Sequence, residues 1–157
     1  MQTIKHQFDL HTTLFNNVLS EITNENADKR LNTQVNHLKW LAGHVTNVRL
    51  GLLKMVGLPE DNSLEEFFAH GSKINDSINY PSLETIVAKW NEVTSKIENA
   101  LSSVPEAILA SDSPVNVPFG DKTTKGFLAF LMHHEAYHIG QMGLLRKYLG
   151  NEAMKYD

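Results

Sequence analysis

Hydrophobic positions recur every three or four residues in four long stretches of the chain, the signature of amphipathic helices. The first stretch places Ile4, Phe8, His11, Phe15, Val18 and Ile22 on one face, widened by Leu14 and Leu19. The second runs through Leu38, Leu41, Val45, Val48, Leu52 and Met55. The third holds Leu83, Ile86, Trp90, Val93, Ile97, Leu101 and Val104, and the fourth Phe127, Leu131, His134, His138, Gln141, Leu145 and Tyr148. Each spans roughly 20–26 residues, about 30–40 Å at the α-helical rise. Four such helices of similar length predict an all-α fold, a four-helix bundle.

The connections refine this picture. The polar stretch 23–32 is short, so the first two helices are expected to be antiparallel neighbours. Residues 58–81 are long enough for a crossover between the second and third helices, with a short helix expected over Leu64–Ala69. Ser82 is a candidate N-cap for the third helix, with Glu84 in its first turn. Between 105 and 123 the prolines Pro105, Pro114 and Pro118 break helix, and the alternation of Val115 and Val117 predicts a short strand or hairpin.

Composition narrows the function classes. At 157 residues the chain is expected to form one domain, 1–157. Hydrophobic residues make up 41% and charged residues 20%, a globular composition. A net charge of −4 argues against nucleic-acid binding. The absence of cysteine removes disulfides, thiolate metal sites and a cysteine nucleophile, and fits a reducing, cytoplasmic setting. The first residues are too polar for a signal peptide, and no apolar run is long enough to span a membrane.

Eight histidines stand out. His134 and His138 are four apart and share a helix face, where they replace apolar residues in the fourth stripe. Two buried imidazoles need partners, and one metal ion would satisfy both. His44, near the middle of the second helix and one turn after Trp40, is the natural third ligand. Three imidazoles leave a coordination position open, as catalytic metal sites do. Spacing alone leaves the alternative of three unrelated core histidines. Gln141, His11, Glu135 and Trp40 are the candidates to line the pocket or touch the ligands. His133 points off the ligand face, and His6, His37 and His70 are expected at the surface or its boundary.

The segments Asn36-His37-Leu38-Lys39-Trp40-Leu41-Ala42-Gly43-His44-Val45 and His134-Glu135-Ala136-Tyr137-His138-Ile139-Gly140-Gln141, the latter preceded by Pro118-Phe119-Gly120 and Thr123 or Thr124, resemble the motifs of the DinB-like superfamily. The resemblance implies an up-down-down-up bundle, often homodimeric, with a divalent metal on His44, His134 and His138; imidazole ligands point to zinc or nickel, or iron. It also implies a thiol S-transferase using a low-molecular-weight thiol such as bacillithiol or mycothiol, or a related thiol-dependent isomerase; the metal chemistry equally allows a hydrolase, with metal-bound water as the nucleophile, acting on a small molecule. A non-catalytic, metal-stabilised stress or scaffold protein is the alternative. His134 to His138 also reads as the H-E-x-x-H of zinc metallopeptidases, with Glu135 as general base. Substrate-aligning strands are scarce, however, and only Glu152 follows as a further ligand.

Overall fold

The computed structural model describes every residue except Pro59, Asp61, His70, Phe119 and Asp157, so the expectation for His70 lies outside the described residues. Four long helices dominate: α1 (Gln2–Leu19), α3 (Leu38–Met55), α5 (Leu83–Leu101) and α7 (Thr124–Tyr148). Between them lie three short ones: α2 (Asn24–Ala27), α4 (Glu65–Phe68) and α6 (Glu106–Ala110).

Side-chain contacts give the directions. Along α1 and α7, His11 meets Glu135 and the Val18 carbonyl meets Arg146, so these helices run parallel. Along α1 and α5, Lys5 meets Ser102 and Phe15 stacks on Trp90, which makes that pair antiparallel. Arg49 meets Thr94 and Lys96 meets Glu60 just beyond α3, so α3 and α5 are parallel, joined by the long crossover that carries α4. The bundle is therefore up-down-down-up. The first two long helices are antiparallel as expected, but they are not neighbours. α1 packs on α7 and α5, α3 packs on α5 and α7, and α1 and α3 face each other across the diagonal. The connection from Ser20 to His37, with α2 inside it, is longer than the polar stretch suggests and reaches across the bundle end.

The helices begin where side chains can take up their unpaired amides. Thr23 accepts from the Asn26 amide, Ser82 from Thr85 and Thr123 from Gly126. The buried face of α5 is Leu83, Ile86, Trp90, Val93, Thr94, Ile97, Ala100 and Leu101, close to the expected stripe. α3 is the central helix: every residue from Leu38 to Asn47 is buried, including Lys39, whose ammonium pairs with Asp28 at 2.6 Å. In α7 the buried face is displaced from the expected stripe. It runs Leu128, Leu131, Met132, Glu135, Ile139, Met142, Leu145 and Arg146, with Glu135 at its centre, while Tyr148 is exposed. The proline-rich insert contains α6, which periodicity did not reveal. The expected hairpin reduces to an antiparallel bridge between Asp112 and Thr123, held by Ser113 N–H to the Lys122 carbonyl and Thr124 N–H to the Ser111 carbonyl.

His37 is buried, not at the boundary, because it caps α3: its Nδ1 accepts from the Trp40 amide at 2.9 Å. An imidazole protonated at Nδ1 cannot accept. Burial, only partly offset by Asp28, pushes the His37 imidazole below 6.5. A depressed value means that the unfolded chain binds the proton more readily, so the cap's contribution is complete above pH 6.5 and is lost as pH falls through the folded-state value. Urea unfolding at pH 7.5 and 5.5 is expected to show a loss of stability in the wild type. That loss should be smaller in His37→Asn, which caps without titrating. An equal loss in both proteins would contradict the capping role.

Candidate metal centre

His44 projects from the middle of α3 and His134 and His138 from successive turns of α7, which runs antiparallel to α3 beside it. Their nitrogens converge. His134 Nε2 lies 3.2 Å from both His44 Nε2 and His138 Nε2, and the three ligand atoms all fall within 4.8 Å of one another. Nitrogens placed tetrahedrally around an ion at about 2.0–2.1 Å sit roughly 3.3–3.4 Å apart, so the cluster has the right size for one divalent ion.

The outer nitrogens support the same reading. His138 Nδ1 donates to Gln141 Oε1 at 2.7 Å, and His44 Nδ1 donates to the Phe68 carbonyl at 3.4 Å. A ring that donates through Nδ1 presents a lone pair at Nε2 when neutral, the state that binds metal. Burial pushes the His138 imidazole below its ordinary value, the Gln141 bond pulling weakly the other way, so the ring is neutral near pH 7. Trp40 walls the site by stacking on the His44 ring, with centroids 5.1 Å apart and planes within 9°.

The crossover contributes through its backbone. Phe68, at the end of α4, lies against Gly43, where a Cβ would overlap its ring. That close approach lets the Phe68 carbonyl accept from both His44 Nδ1 and Asn47 Nδ2. No side-chain pattern announces a backbone acceptor; a mid-helix glycine beside a histidine was the available signal.

Of the other residues singled out in the sequence, Gln141 and Trp40 touch the triad, whereas His133 and His6 are exposed. His11 and Glu135 belong to a different cluster, one helix face away. Glu135 is fully buried, taking Arg49 Nε on one carboxylate oxygen at 2.7 Å and Arg49 Nη2 on the other at 2.8 Å, with His11 Nδ1 at 3.3 Å. Arg49 also donates to Thr12 and Thr94 and lies between the rings of Phe8 and Trp90, at 3.8 and 3.4 Å from their centroids. Burial by itself would raise the Glu135 carboxyl, but the charge and hydrogen bonds of Arg49, with those of His11, hold it below the ordinary carboxylate range. A carboxylate engaged on both oxygens by a guanidinium is not a general base, so the metallopeptidase reading loses its catalytic group.

Gln141 yields a direct prediction. Gln141→Leu keeps the volume but removes the acceptor for His138, and metal affinity is expected to fall by about 10–100-fold. Competition with a chromophoric chelator measures it; unchanged affinity would show that Gln141 does not orient the ligand.

Comparison with known proteins agrees with this architecture. None of the curated proteins compared matches the chain. Among solved structures, a DinB-like protein from Bacillus cereus ATCC 10987 matches with a TM-score of 0.73 over 99% of this chain and 96% of that one, at 20% identity, a likeness of fold. The family model of the DinB superfamily matches residues 7–142. The chain belongs to the DinB superfamily.

Proposed function

We propose that this protein binds one divalent metal ion, zinc or nickel, through His44, His134 and His138, and is a metal-dependent enzyme acting on a small molecule by thiol transfer or hydrolysis. The observation that carries the reading is the convergence of three imidazole nitrogens with two of the rings oriented from behind by oxygen acceptors. A site of three neutral histidines leaves at least one position for an exogenous ligand. A bound ion would supply Lewis acidity there, lowering the pKa of a thiol or water. The protein's own groups do the rest. Gln141 and the Phe68 carbonyl fix two ligand rings, and Trp40 excludes water from one side of His44. With no cysteine in the chain, the thiol of a transferase reaction would come from a low-molecular-weight co-substrate.

Glu135 takes no part in proton transfer in this reading. Exposed Tyr137, Leu144 and Tyr148 share one face of α7 and offer an apolar strip for the expected homodimer. Among the described residues no helix is long and apolar enough to cross a membrane.

The deciding experiment is metal analysis of the purified protein, followed by a thiol-transfer and ester-hydrolysis screen with metal removed and restored. One ion per chain and activity that follows the metal are expected. Metal that raises stability without any activity would favour the scaffold reading.

A further inference from the structure

The two helices that carry the histidine triad also line a cavity beyond it. On α3 the positions 44, 48, 51 and 55 lie along one helix face, and on α7 the positions 127, 131, 134 and 138 do the same. The two helices run antiparallel, so the strips line up. The histidines lie together, and beyond them Val48, Gly51 and Met55 face Leu131 and Phe127. These residues, with Val115 of the proline-rich insert, line a cavity of about 590 Å³ that begins one helical turn from His44 and His134. Its volume is that of a small-molecule site. Apart from Lys54, every residue lining it is uncharged.

Gly51 is the second observation. A glycine inside a helix weakens it, and such a residue is ordinarily explained by a close neighbour or a special backbone angle. Gly43 has such a neighbour in Phe68; Gly51, like Gly140 and Gly143 of α7, has nothing within 4 Å of the place a Cβ would occupy and no positive φ, but Gly51 is the one of the three that lines this cavity. Its effect is to leave the furrow open where a side chain on α3 would project into it.

Resting on the metal reading above, we infer that this furrow is the substrate channel of the site, and that it takes an amphipathic small molecule. The polar, metal-binding head sits at the triad and an apolar chain runs between α3 and α7 toward the insert. From His44 to Met55 the channel extends about 16 Å along α3.

Zinc-loaded protein titrated with straight-chain alkyl hydroxamates of increasing length tests this by calorimetry, the hydroxamate serving as head group. Affinity is expected to rise with chain length, by up to about fourfold per added methylene, and to level off when the chain reaches the insert. In Gly51→Leu, which fills the furrow and improves helix propensity, the rise should vanish. Affinity for acetohydroxamate and zinc content should stay unchanged. Equal affinity for short and long hydroxamates would overturn the channel while leaving the metal site standing. A rise that persists in Gly51→Leu would overturn its placement between α3 and α7. Failure to bind zinc or acetohydroxamate would remove the metal reading itself, and the channel's head-group site with it.

Discussion

Arg49→Met is expected to destabilise the protein by about 3–5 kcal/mol, the usual cost of stripping one partner from a buried ion pair. The size follows from what Arg49 holds. Its side chain is 1% exposed and touches all the other long helices: Thr12 and Phe8 of α1, Trp90 and Thr94 of α5, and Glu135 of α7. Methionine fills much of the space between the two aromatic rings but leaves the Glu135 carboxylate without its guanidinium. Urea unfolding measures the loss. The double variant Arg49→Met/Glu135→Met should recover most of it, because two apolar side chains leave no stranded charge. A loss below about 1 kcal/mol in the single variant would mean that the pair contributes no more than a surface ion pair does. The sign with pH follows from the depressed Glu135 carboxyl. Its contribution is complete above the ordinary value of 4.5 and is lost as pH falls through the folded-state value.

The second large effect is on metal affinity. His44→Ala, His134→Ala and His138→Ala each remove one of three ligands, and each is expected to weaken zinc binding by more than about 100-fold, beyond the range typical of outer hydrogen-bond partners. His133→Ala, next in sequence to His134 but exposed, should bind as the wild type does. Saturating metal at about 100 times its dissociation constant stabilises a fold by about 2.7 kcal/mol. The wild type and His133→Ala should therefore melt later with zinc, and the three ligand variants should not. Stoichiometric zinc in any of the three would remove that residue from the ligand set.

The two sites differ in how far the sequence exposed them. His134 and His138 are brought together by helix geometry alone, which any four-residue spacing on a helix supplies. The Arg49–Glu135 pair is as strongly built, yet nothing in the sequence pattern singles out Arg49, and the pattern offers Glu135 as a candidate to line the pocket or touch the ligand histidines, not as the partner of a buried guanidinium. Each lies on its helix's apolar period: Arg49 falls four after Val45 and three before Leu52, and Glu135 four after Leu131 and four before Ile139. A charged residue in such a position ordinarily marks the edge of a stripe. Only the presence of an opposite charge at the same depth on another helix makes burial tolerable. His37 was misplaced for a related reason: a histidine cap satisfies itself with a local amide, so its burial leaves no trace in periodicity.

The sequence by itself determined the four long helices, the crossover with its short helix, the cap at Ser82, and the face shared by His134 and His138. All of these depend on interactions within a few residues, where spacing and structure are tied by helix geometry. The tertiary structure alone decided that α1 and α3 lie diagonally, that Glu135 and not His134 occupies the centre of the buried face of α7, that the Phe68 carbonyl reaches His44, and that Gly51 lines a cavity between α3 and α7. Each depends on the rotation and register of one helix against another, set by the packing of whole faces and not by the spacing of residues along either one.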